Sequence, residues 1–80
     1  MSKFAKLFEV KENEQVLVSI QPYNDEDEFY GLEVSTEVDG AMATATLGFE
    51  TEKQQIKGFD TYTIEQAIKY RESVEKMLTE

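Results

Sequence analysis

Phe29-Tyr30-Gly31-Leu32-Glu33-Val34-Ser35-Thr36-Glu37-Val38, then Asp39-Gly40, then Ala41-Met42-Ala43-Thr44-Ala45-Thr46-Leu47-Gly48-Phe49-Glu50 is the stretch that decides the fold. Asp-Gly between two alternating runs is the signature of a two-residue type I′ hairpin, whose central residues both need positive φ. That turn sets the register. Val38 faces Ala41, Thr36 faces Ala43, Val34 faces Ala45, Leu32 faces Leu47 and Tyr30 faces Phe49. Side chains alternate along a strand, so all of these lie on one face, and all but Thr36 are apolar or aromatic. The other face pairs Glu37 with Met42, Ser35 with Thr44, Glu33 with Thr46 and Gly31 with Gly48. It reads as small, polar and acidic. The alanines of the apolar face leave room for a bulky neighbour, and a helix is the expected occupant.

Upstream, Phe4 to Val10 reads as a first strand, Lys11-Glu12-Asn13-Glu14 as a turn, and Gln15 to Gln21 as a second strand with Val16, Val18 and Ile20 alternating. Pro22 ends regular pairing. Tyr23 to Glu28 is a polar loop. Downstream, Thr51 to Phe59 is polar except for Ile56 and Phe59 and reads as a connection, with Gly58 allowing a bend. Thr63 followed by Gln66 forms a capping-box pattern, with Asp60 and Thr61 as rival caps. Ile64, Ala67, Ile68, Tyr70, Val74, Met77 and Leu78 then make one stripe of an amphipathic helix. The expectation is a single α+β domain over residues 1–80: a four-stranded antiparallel sheet of two hairpins with one C-terminal helix on one face, in the order β-β-β-β-α.

Composition narrows the chemistry. The 80 residues contain neither cysteine nor histidine. Disulfides, thiolate metal sites and thiol nucleophiles are excluded, and the best side chain for proton transfer near neutral pH is missing. No phosphate-binding glycine loop or nucleophile elbow occurs. The expectation is a non-enzyme with no catalytic residue, cofactor or metal. Asp25-Glu26-Asp27-Glu28 does not satisfy a calcium loop: counted from Asp25, the fifth and sixth positions are Phe29 and Tyr30, where an oxygen ligand and a glycine are needed. Glu33 and Glu37 are about 13 Å apart along a strand, too far for paired-carboxylate glycoside chemistry. No apolar run is long enough for a membrane helix, and the start reaches Glu9 before a signal-type stretch develops, so the expected location is cytoplasmic.

Charge is the informative feature. The net charge is −9, and the window from Glu12 to Glu52 holds eleven acids and no lysine or arginine. Such a surface repels nucleic acid and anionic membranes and steers a basic protein toward itself. Four tyrosines and Phe29 do not make a base-stacking surface without a positive groove. Arg71 falls within the apolar stripe of the helix, where its stem is expected to lie on the core and its guanidinium to extend outward, toward Glu75 or a sheet acid.

The expected partner-binding residues are therefore Asp25, Glu26, Asp27, Glu28, Glu33, Glu37 and Glu50. In size and charge the chain is similar to the small acidic inhibitors of phages and mobile elements and to nuclease immunity proteins, although no motif ties it to one family. That similarity implies an inhibitor covering the basic, nucleic-acid-binding surface of a partner as a nucleic-acid mimic. The alternative is a structural or regulatory subunit that forms a homodimer through a sheet edge or face, its charge serving solubility.

Overall fold

The computed structural model describes residues 5–79, with Thr79 as backbone only. Phe4, the expected first residue of strand one, lies outside the described residues. The strands are β1 (Ala5–Lys11), β2 (Glu14–Ile20), β3 (Tyr30–Val38) and β4 (Ala41–Phe49), and they form one antiparallel sheet in the order β1-β2-β3-β4. Every cross-strand pair read from Asp39-Gly40 is present, from Val38 with Ala41 to Tyr30 with Phe49. The turn has φ of 50° at Asp39 and 84° at Gly40, as a type I′ turn requires. The first hairpin turns at Glu12-Asn13, with Asn13 at φ 64° and a shift of register between Glu9 and Lys11.

Two helices follow the sheet, where one was expected: α1 (Glu52–Thr61) and α2 (Ile64–Thr79). The segment read as a connection is α1, and it opens with a capping box. Thr51 Oγ1 accepts from the Gln54 amide at 3.1 Å, and Gln54 Oε1 accepts from the Thr51 amide at 3.2 Å. Its inward face consists of Gln55 and Phe59, one turn apart and both buried. A buried glutamine hides the apolar stripe that marks a helix, and it is stable there only because its side-chain amide donates to Gln21 O at 2.9 Å and Gly31 O at 2.8 Å. Gly58 does not make a bend. It lets α1 lie close to the sheet, since a Cβ there would sit 2.7 Å from Phe49 Cζ. Lys6, reaching up from β1, donates to the carbonyls of Phe59 and Asp60 and so caps the negative end of α1.

Thr63 and Gln66 start α2 by the same reciprocal bonding, at 3.3 and 2.9 Å. Asp60 and Thr61, the rival caps, belong to the last turn of α1. The core between the layers is Val16, Val18, Leu32, Val34, Phe59 and Ala67, with Phe8, Ile20, Phe49, Tyr62 and Tyr70 packed around it. Burial, and next to it the neighbouring Tyr70, hold the Tyr62 phenol above its ordinary pKa. Ala67 and Val74 of the expected helix stripe are buried, while Ile64, Met77 and Leu78 are exposed. Arg71 reaches both Glu75 and the sheet acid Glu14, at 3.3 and 3.4 Å. Its guanidinium is not turned outward as expected but buried between the layers, where it also donates to Thr36 Oγ1 and Glu37 O, at 2.9 and 2.7 Å.

The helices do not cover the whole inner face. α2 leans on β1, β2 and β3, and α1 packs on β4 at Phe49. Ala41 is exposed, Ala43 and Ala45 are half-buried, and Leu47 is 44% exposed. Among the described residues no helix fills the space that the alanines leave.

Candidate partner-binding surface

The second face of the sheet carries no helix. Its residues follow from strand alternation and the pairing registers. One row runs Ala5, Ser19, Glu33, Thr46, and the next runs Leu7, Leu17, Ser35, Thr44, with Glu9 beside Gln15 and Glu37 beside Met42 beyond them. Among the described residues this face holds three carboxylates, Glu9, Glu33 and Glu37, and no cation. The described cations are elsewhere. Lys6 points under α1, Lys11 lies beside Glu14, Ile68 and Arg71 on the helix side, and the remaining five are on the two helices. The face is not purely polar either. Leu7 and Leu17 are cross-strand partners, 60% and 39% exposed, and Met42 is 67% exposed.

The Tyr23–Glu28 loop closes one end of this face and is held in a defined shape. Asn24 Oδ1 accepts from the amides of Glu26 and Asp27, each at 3.0 Å, and Asn24 bridges Phe29 through backbone bonds. Glu28 completes the turn at φ 53°. Phe29 then lies flat on the sheet across Gly31 and Gly48, where a Cβ on Gly48 would meet its ring at 2.6 Å. The glycine pair is the seat of that ring. Tyr23 packs on Tyr30 at 4.7 Å between centroids.

Loop and sheet together enclose an open hollow of about 800 Å³ lined by Asp25, Glu26, Asp27 and Glu33, with Gln21, Phe29 and Thr46 among its other walls. Among the described residues no lysine or arginine meets a carboxylate of this group or that of Glu37. Glu37 lies on the same face, four residues further along β3, and its backbone carbonyl holds Arg71 while its side chain is exposed. Glu28 is exposed at the loop but does not line the hollow. Glu50 sits past the end of β4 and lines a different hollow, with Gln54 and Lys57 of α1.

Sequence reasoning missed Glu9 and Leu7 as parts of this surface, and Asn24 as the residue that shapes the loop; Met42 sits opposite Glu37 on this face, as the hairpin register predicts. Leu17 already fell on the outer face by alternation, and Leu7 follows once the first hairpin is paired. The Asn24-to-Asp27 spacing was a legible turn signal. The arrangement offers anionic contacts around an apolar centre. Among the described residues no group of three or more acids is placed to hold a metal ion, and no helix is long and apolar enough to cross a membrane. No family model, curated protein or solved structure matches this chain.

Proposed function

We propose that this protein is a binding module that docks a basic protein across the open face of its sheet. Glu9, Glu33 and Glu37 with the Asp25–Asp27 loop make the ionic contacts, and Leu7 with Leu17 makes the apolar centre. The observation that carries this reading is the absence of any described cation from a face that holds three carboxylates and an exposed leucine pair. Carboxylates fixed on a rigid sheet steer an oppositely charged surface, and exposed apolar side chains among them supply the short-range part of the interface. The finer reading is an inhibitor. The partner surface is one that ordinarily holds nucleic acid, and the spaced carboxylates take the place of phosphates there.

The test is affinity capture from the native host followed by elution in a salt gradient. The expected result is a basic protein that elutes early in the gradient, that Glu33→Lys with Glu37→Lys no longer retains, and that added nucleic acid displaces. Retention that is indifferent to salt and to the double substitution would overturn the proposal.

A further inference from the structure

The two edges of the sheet are built differently. β1 carries Lys6, Glu9 and Lys11 and a break in register between Glu9 and Lys11, the devices that keep an edge from pairing with other chains. β4 reads Ala-Met-Ala-Thr-Ala-Thr-Leu-Gly-Phe, with no charge, no proline and a regular nine-residue register against β3. The other strand with an uncharged run of that kind is β2, which is paired on both sides. β4 therefore has the composition of an interior strand at an edge position. The inner face beside it is also uncovered, since Ala43 and Ala45 are half-buried and Leu47 is 44% exposed.

The direction of the free backbone groups follows from the hairpin. A two-residue turn makes Val38 and Ala41 a bonded pair, so every second residue from Ala41 bonds to β3. Gly31 fits this alternation, since its carbonyl accepts from Gln21 on the β2 side at 3.0 Å. The N–H and C=O groups of Met42, Thr44, Thr46 and Gly48 thus point away from the sheet, and among the described residues nothing pairs with them.

We infer that β4 is the interface of a homodimer, in which two copies pair antiparallel through this edge and join their sheets into one of eight strands. The occupant is a second copy because β4 is complementary to itself. A twofold axis at Ala45 places Thr44 opposite Thr46, Ala43 opposite Leu47 and Met42 opposite Gly48 of the other copy. Each large residue meets a small one, and the β-branched residues meet each other. The same register brings the Met42 thioether toward the Phe29 ring that covers Gly48. Charge also permits it. Each copy carries −9, and the contact falls on the edge strand that contributes none of that charge.

Sedimentation equilibrium of the full chain, from low micromolar to submillimolar concentration at low and high salt, tests the proposal. The mass is expected to double from 9.2 kDa with concentration, and salt is expected to favour the dimer by screening like charges. Thr44→Pro removes an outward N–H without touching the bonds to β3, and the axis removes it twice. It should raise the dissociation constant at least about tenfold with the circular dichroism spectrum retained.

The chain has no native cysteine, so an introduced one reports the register. Ala45→Cys faces itself as a non-bonded pair with Cα atoms about 4.5 Å apart, and should oxidise readily to a disulfide-linked dimer. Ala43→Cys is about 13 Å from its symmetry mate and should not. A chain that stays monomeric at submillimolar concentration and high salt overturns the proposal. So does a Thr44→Pro variant that dimerises like wild type, or an Ala43→Cys variant that cross-links as fast as Ala45→Cys. The outcome is separable from that of the basic-partner reading, because the dimer uses neither Glu33 nor Glu37 and its salt dependence has the opposite sign.

Discussion

The two faces of the sheet use polar residues in opposite ways. On the helix side, Thr36, Gln55 and Arg71 are buried, and each is bonded to something within the chain. On the open side, Glu33 and Glu37 meet no described cation. Neighbouring residues of β3 show the contrast within one strand. Thr36 points inward and accepts from Arg71, and the carbonyl of Glu37 also accepts from Arg71, yet the Glu37 side chain is turned to solvent. A polar group that the fold requires is recognisable by its satisfied bonds, because an unbonded polar group in the core is costly. The polar groups left over on a rigid face are those free to meet a partner. One side of the sheet is held by its polar groups, the other is the side proposed to bind, and mutation can break either role.

The largest effect is expected at Arg71. Arg71→Ala leaves Glu14 without its cation and Thr36 without its donor inside the layer, and should cost about 3 kcal/mol in urea denaturation. A loss below about 1 kcal/mol would show the buried network to be dispensable and would blur the line between the faces. Next is Gly58→Ala. Alanine at an ordinary helix-interior glycine gains about 1 kcal/mol. Here the added Cβ meets the Phe49 ring at 2.7 Å, so a net loss of about 1–2 kcal/mol is expected. A gain in stability would mean that α1 is not held against β4 as tightly as described. The smallest effect on stability is expected on the open face. Glu33→Gln with Glu37→Gln should leave the urea midpoint near that of wild type while weakening capture of the proposed basic partner. A marked fall in the midpoint would move both carboxylates to the structural side.

The second hairpin was legible down to its register, because a positive-φ turn and strict alternation are local and agree with each other. The start of α2 was legible for the same reason, in Thr63 and Gln66. α1 was not, although Thr51 and Gln54 repeat the capping pattern. Its buried face is half polar, and Gln55 earns burial only from carbonyls 34 and 24 residues away. The candidate surface divides likewise. That Glu33 and Glu37 share a face follows from spacing alone. That Leu7 lies near them, that no described cation does, and that Glu50 faces α1 instead depend on how β1, β2 and the helices are arranged around β3.

What the chain's order alone determined is therefore local: two hairpins, one register, one capped helix and an acidic middle with its bases at the ends. The tertiary structure decided which face the bases were drawn to, which face stayed bare, and that an uncharged strand was left at the rim. Turn geometry and periodicity are free energies of a few neighbouring residues and can be read in sequence. Burial and strand order depend on partners far along the chain, and take effect only when the layers close.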